Sequence, residues 1–233
     1  MKTSNKSEEP IKIKDFGIYS RPVLFERECE QFSYSLFGSC FGIKYENQYL
    51  ILTAKHVLDN FEENDDISIP YIAGSNYFLP INNLNTISYD STIDDTDKFD
   101  IVIMNIDEEQ LNDEFDIDTF FEIKKCALEA TEFEKCVIYG FSKEINQIDY
   151  DEKKVKVQRI QLEASNISSS PYDYCFSLET KEEDKKYLNG LSGSPIVGLK
   201  TNGEGYDYCL IGMMLRQKYF LSSHWILNIL KDI

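Results

Sequence analysis

The sequence predicts an all-β protein arranged as two sandwiches or barrels, with one helix at its C-terminal end. Three observations carry this. Aromatic residues make up 13%, with 15 Tyr and 15 Phe, and such side chains favour strands. Apolar runs are short and fall between turn residues at even intervals. Only the last dozen residues show a helical apolar period. With 233 residues and 42% hydrophobic content, the chain can bury one large all-β core or two smaller ones.

Taken in order, residues 1–10 are polar and charged and read as a disordered arm. Ile11 to Phe16 alternates and predicts a short strand. Pro22 to Phe25 is a second apolar run. Phe32 to Ile43 predicts a longer strand, with Gly38 and Gly42 permitting a bend. Glu46-Asn47-Gln48 turns the chain into Tyr49–Thr53, making a hairpin. His56 follows that strand in a turn or short helix. Ile67–Ile72 and Tyr77–Ile81 are short strand candidates around a turn at Ala73–Asn76. Asn82 to Lys98 reads as a long acidic loop. Phe99 to Ile106 is strongly apolar except for Asp100, a carboxylate at the entry to a buried segment that needs a partner such as a histidine N–H. Asp107 to Ala130 reads as an irregular linker. Strands are expected over Lys135–Phe141, Lys154–Leu162, Tyr174–Leu178, Pro195–Leu199 and Tyr208–Leu215. Ser222-Ser223 caps the terminal helix, whose apolar face is Trp225, Ile226, Ile229 and Leu230.

The formal charge of −17 argues against general nucleic-acid binding. From Asp59 to Asp118 there are 17 acidic residues against the single Lys98, a net of −16. That quarter of the chain is either a solvated acidic surface or a face that draws a basic partner. No run approaches the roughly 18 apolar residues of a membrane span, and the start lacks the apolar segment of a secretion signal. The expectation is a cytoplasmic protein, with no membrane association. Six cysteines (Cys29, Cys40, Cys126, Cys136, Cys175, Cys209) show no CxxC pair or zinc-like spacing, so free thiols and no metal site are expected. The two histidines, His56 and His224, are the obvious neutral-pH bases, and His224 reads as structural.

Late in the chain stands Gly190-Leu191-Ser192-Gly193-Ser194-Pro195. Glycines around a serine let the backbone turn sharply and expose both a hydroxyl and amide hydrogens. It completes a set with Thr53-Ala54-Lys55-His56-Val57 and Phe99-Asp100-Ile101-Val102. In order and spacing this set resembles the trypsin-like (chymotrypsin-fold) serine protease family, with 44 residues from His56 to Asp100 and 92 from Asp100 to Ser192. Gly38–Ile43, Val137–Phe141 and Ile211–Met214 resemble further strands of that family. The absence of paired cysteines, with Val57 where secreted members carry one, is more similar to disulfide-free bacterial members.

The resemblance implies two six-stranded antiparallel β-barrels, with residues 11–118 carrying His56 and Asp100, residues 119–221 carrying Ser192, and a terminal helix over 222–233. It implies peptide-bond hydrolysis through an acyl-enzyme, with Ser192 as nucleophile, His56 as base and Asp100 orienting the imidazole. The N–H groups of Gly190 and Ser192 would form the oxyanion hole, and no cofactor is needed. Leu191 replaces an aspartate that many secreted members pair with a newly cut N-terminus. The chain is therefore either competent as made or switched by a protein partner, for which the acidic half offers a docking face. Stand-alone domains of this kind occur in bacterial stress or defence settings. The implied substrate is a protein or peptide, cleaved with narrow specificity. Candidates for the substrate pocket are Lys186 at its floor, Met213, Met214 and Leu215 along its wall, and Arg216 at its mouth. Acidic and large apolar preferences both remain open. A catalytically inactive binding module on the same fold is the alternative, because Leu191 and Ser194 alter the oxyanion loop. An α/β esterase is excluded by the order of the three residues.

Overall fold

A computed structural model describes residues 16–26, 34–59, 66–75, 77–87, 97–112, 115–123, 133, 135–146, 148–149, 154–155, 157–201 and 206–232. The expected arm at 1–10, most of the Ile11–Phe16 strand, and Cys29 and Cys126 lie outside them. The strands are β1 (Ser20–Glu26), β2 (Tyr34–Tyr45), β3 (Gln48–Thr53), β4 (Asp66–Ser68), β5 (Ile81–Thr86), β6 (Val102–Ile106), β7 (Phe121–Glu122), β8 (Lys135–Gly140), β9 (Ile148–Asp149), β10 (Lys154–Val155), β11 (Ile160–Ser169), β12 (Cys175–Thr180), β13 (Pro195–Thr201), β14 (Tyr206–Met214) and β15 (Tyr219–Ser222). One α-helix, α1 (Ser223–Lys231), follows.

The strands form two main bodies. The first is a seven-stranded sheet in the order β4-β1-β2-β3-β6-β5, with β7 running parallel to β2. Among the described residues it is a half-barrel with an open path, not the closed six-stranded ring expected. The second is a closed six-stranded barrel, β11-β12-β15-β14-β13-β8. The fold is thus mostly β, a half-barrel and a closed barrel with one C-terminal helix; the two β bodies and the terminal helix are as the sequence predicts. No described helix is long and apolar enough to cross a membrane.

The differences have local causes. β5 forms where a loop was expected, because Asn85 donates to Asn105 on β6 at 2.6 Å and lets a polar edge strand pair. Tyr77–Ile81 yields only an isolated bridge, Pro70 to Phe78, before β5. The expected strand Lys154–Leu162 is divided, because Asn146 takes both backbone groups of Gln158 with its side-chain amide. β15 and a 3-10 helix over Glu182–Leu188 had no clear sequence signal.

One continuous apolar core joins the two bodies. It holds Phe41, Ile51 and Ile103 from the first sheet with Met213, Leu221 and Ile226 from the second barrel and helix. α1 is capped by Ser222, whose Oγ accepts the Trp225 N–H at 3.3 Å, and it buries Ile226, Ile229 and Leu230. Trp225 also donates from its ring to the Lys98 carbonyl at 2.7 Å, fixing the segment that leads into Asp100.

The first sheet is organised on a fully buried cation, Arg21. Its guanidinium donates to the Tyr71 carbonyl (2.7 Å), the Tyr19 carbonyl (2.9 Å) and the Thr119 carbonyl (3.1 Å). It also lies 4.6 Å from the centre of the Phe120 ring. Burial pushes it down to about 10, so it stays charged at neutral pH. The same burial pushes the neighbouring Cys40 thiol up to about 12, which makes it inert. Replacing Arg21 removes the donor from three carbonyls at once. Arg21→Met is expected to lower unfolding stability by about 3 kcal/mol or more, read from the urea midpoint at unchanged slope.

Candidate active site

His56 sits in a 3-10 turn, Lys55–Val57, immediately after β3. Asp100 lies two residues before β6 and is 6% exposed. β3 and β6 are paired neighbours, Thr53 against Val102, so their ends place the two residues side by side. Asp100 Oδ1 accepts the His56 backbone N–H at 2.8 Å, and Oδ2 faces the ring Nδ1 at 2.6 Å. An ionised carboxylate only accepts, so Nδ1 carries the proton. In the neutral imidazole that leaves the Nε2 lone pair directed at Ser192 Oγ, 2.8 Å away. His56 and two residues 44 and 136 positions from it thus form one hydrogen-bonded chain across both bodies.

Ser192 Oγ has a second neighbour. It donates to the Leu215 carbonyl at 2.7 Å. The hydroxyl has one hydrogen, so Leu215 competes with His56 for it.

The loop around Ser192 is fixed from both sides. The Ser192 carbonyl accepts the Ser39 N–H (2.9 Å), and Ser39 Oγ donates to the Gly190 carbonyl (2.9 Å) while accepting the Phe141 N–H (2.9 Å). Gly193 donates to the Met214 carbonyl at 2.8 Å. Gly193 has φ +84°, and a Cβ there would lie 2.0 Å from the Ser39 carbonyl oxygen. Gly190, at φ +94°, is equally restricted, by the Phe141 carbonyl. The Asn189 carbonyl accepts the Lys143 N–H at 2.8 Å, which turns the Gly190 N–H of the same peptide group the other way. Among the described residues, neither the Gly190 nor the Ser192 N–H donates a hydrogen bond. Both expected oxyanion donors are therefore available beside the hydroxyl.

Leu191 explains how the loop is held without an ion pair. Its side chain is fully buried in the second barrel, packed with Ile138, Leu178, Ile196, Ile211 and Phe220. Complete burial of a leucine is worth about 2 kcal/mol. Sequence reasoning missed Ser39, which touches three segments of the loop's surroundings. No pattern in the sequence links Ser39 to Gly190, 151 positions away.

A cleft of about 1070 Å³ opens beside the hydroxyl, lined by Gly190, Ser192, Lys185, Arg216 and Lys218 among others. Of the expected pocket residues, only Arg216 lines it. Lys186 instead points outward with its Nζ 4.7 Å from the Tyr187 ring centre, and its neighbour Lys185 faces the cleft. The 3-10 turn accounts for this one-residue offset. Met213, Met214 and Leu215 are at most 1% exposed and do not line this cleft. Both faces of β14 are covered there, since Met213 and Leu215 join the shared core and Met214 fills the barrel. His224 is exposed at the start of α1, and none of the hydrogen bonds joining His56, Asp100 and Ser192 involves it. The described residues contain no cluster of His, Cys, Asp and Glu fit to hold a metal ion, and no disulfide joins Cys40, Cys136, Cys175 or Cys209.

No protein-family model matches the sequence, and no curated protein matches it. A solved structure does. The crystal structure of the scabies mite inactivated protease paralogue S-D1 aligns over 92% of this chain and 91% of its own, at 12% identity and a TM-score of 0.57. The chain has a chymotrypsin-like fold. At this identity the likeness extends to the fold alone, and it does not single out a disulfide-free bacterial subtype.

Ser194 is fully buried, and among the described residues its Oγ has no hydrogen-bond partner. Its backbone does the structural work, accepting from the Met214 N–H and donating to the Leu191 carbonyl. A buried unpaired hydroxyl costs about 1–3 kcal/mol. Ser194→Ala is expected to raise stability by about 1 kcal/mol, seen as a higher denaturation midpoint with the same cooperativity.

Proposed function

We propose that the chain is a serine endopeptidase acting through Ser192, His56 and Asp100. The observation that carries this reading is the continuous chain Asp100–His56–Ser192, with the Gly190 and Ser192 N–H groups unengaged beside it. In the reaction, Ser192 Oγ attacks a peptide carbonyl carbon while His56 Nε2 takes its proton. The electron pair of the carbonyl moves to oxygen, where the two N–H groups stabilise it, each worth about 3 kcal/mol of barrier. Collapse of the tetrahedral intermediate breaks the C–N bond, and His56 returns the proton to the leaving amine. Water then repeats the sequence against the acyl-enzyme. Asp100 holds the imidazole in the required tautomer and stabilises its cation.

The Leu215 carbonyl adds a step particular to this site. A substrate amide N–H that occupies this acceptor displaces the Ser192 hydroxyl from it. The hydroxyl hydrogen is then left to His56 alone, so a peptide substrate strengthens an alignment that the free site already holds. A binding module that has lost catalysis is the less favoured reading, because it calls for a broken oxyanion loop, and this loop is anchored by Leu191 and Ser39.

A fluorophosphonate probe is expected to label the protein once per chain, at Ser192 by peptide mass mapping. Labelling should vanish in Ser192→Ala, and His56→Ala should slow it by at least about 10³-fold. A folded wild-type protein that takes no probe would count against the proposal.

A further inference from the structure

The chain as a whole is strongly acidic, yet the cleft beside Ser192 is not. Five charged side chains line it: Glu179, Glu182, Lys185, Arg216 and Lys218. Two of the three cations could be neutralised by the carboxylates, so their partners decide what the cleft offers a ligand. Glu182 pairs with Lys185 one turn on. Glu179 Oε2 accepts the Asn166 side-chain amide at 3.0 Å. Lys218 lies with Nζ 5.5 Å from the centre of the Tyr219 ring. The Arg216 guanidinium has no hydrogen bond or ion pair among the described residues, and it is exposed. Arg216 also directly follows Leu215, whose carbonyl is 2.7 Å from the nucleophile.

The backbone fixes where Arg216 stands. Residues 215–219 close a tight turn between β14 and β15, with Leu215 N–H donating to the Tyr219 carbonyl and Tyr219 N–H to the Arg216 carbonyl, both at 2.9 Å. Lys218 is held to the barrel through its carbonyl, which accepts the Leu178 N–H at 2.9 Å. The turn therefore presents Arg216 and Lys218 from a rigid strand end and not from a long loop. The cleft's apolar lining is limited to Leu178, which is buried, and Leu188, which is half-buried, while Met213, Met214 and Leu215 pack elsewhere.

We infer that this cleft selects an acidic side chain, Asp or Glu, on the residue whose carbonyl Ser192 attacks, with Arg216 as its main recognition group and Lys218 as support. The inference rests on the endopeptidase reading of the same site. The side of the scissile bond follows from proton traffic. The leaving amine must lie against His56 Nε2 to receive its proton. The acyl-side residue then extends away from His56, and neither His56 nor Asp100 lines the cleft. An arginine fork can take a carboxylate through two parallel hydrogen bonds, and the neutral amide isostere lacks the charge that makes them strong.

The test uses the full-length protein and paired internally quenched peptides that differ only by Glu or Gln at that residue. The expected ratio of kcat/KM, Glu over Gln, is about tenfold or more, falling as salt rises from 0.05 to 0.5 M by order of the screening. Arg216→Glu should invert preference toward a Lys peptide, with the ratio Lys over Glu rising by about 100-fold. A wild-type ratio near one, in protein that the fluorophosphonate labels, overturns the inference and leaves the endopeptidase reading intact. Absence of labelling overturns both. Unchanged selectivity in a cooperatively folded Arg216→Glu protein removes Arg216 from the role.

Discussion

Burial of Leu191 in the second barrel is the constraint on which the site depends. The proposed oxyanion donors and nucleophile, Gly190 and Ser192, lie on either side of it, so the backbone from Gly190 to Ser192 can go only where that side chain is packed. An ion pair could hold such a loop, but it would need a second charge delivered to the right place. An apolar side chain needs only the barrel interior, which forms with the fold. Ser39 then sets the fine position from the other body. It binds the Ser192 carbonyl with its N–H and the Gly190 carbonyl with its hydroxyl. The Gly190–Ser192 loop is thus a joint between the two halves, and the shared apolar core keeps them in register.

His56 and Asp100 are positioned by a different device. Adjacent strand ends on one sheet bring His56 and Asp100 together, and Trp225 of the terminal helix holds the Lys98 carbonyl just before Asp100. The carboxylate is nearly closed off from solvent, and its two oxygens are both used by His56. A buried carboxylate with each oxygen engaged by His56 has little freedom to reorient. This makes the imidazole orientation a property of the sheet and leaves the serine hydroxyl as the mobile part of the chain of hydrogen bonds.

Much of this was legible in the sequence. His56, Asp100 and Ser192 each stand in a local context that announces a turn or a strand end, and their order and spacing point to one fold. Leu191 could be read as a departure, but its meaning could not, because burial inside a barrel depends on strands distant in sequence. Ser39 was invisible for the same reason. The pocket was misread at Met213, Met214 and Leu215, since an apolar strand residue looks alike whether it faces a core or a ligand. β14 is covered on both faces, which no local period reveals. Lys185 and Lys186 were interchanged by a single 3-10 turn. β5 escaped notice because its asparagines carry a turn signal that pairing with β6 overrides.

The central claim is that the isolated chain already holds an assembled nucleophile and oxyanion loop. Pre-steady-state hydrolysis of p-nitrophenyl acetate by the purified protein alone tests it most directly. The account predicts a burst of p-nitrophenol approaching one equivalent per chain, absent in Ser192→Ala, followed by slow turnover of the acyl-enzyme. A well-folded protein that shows no burst above the Ser192→Ala background would contradict it.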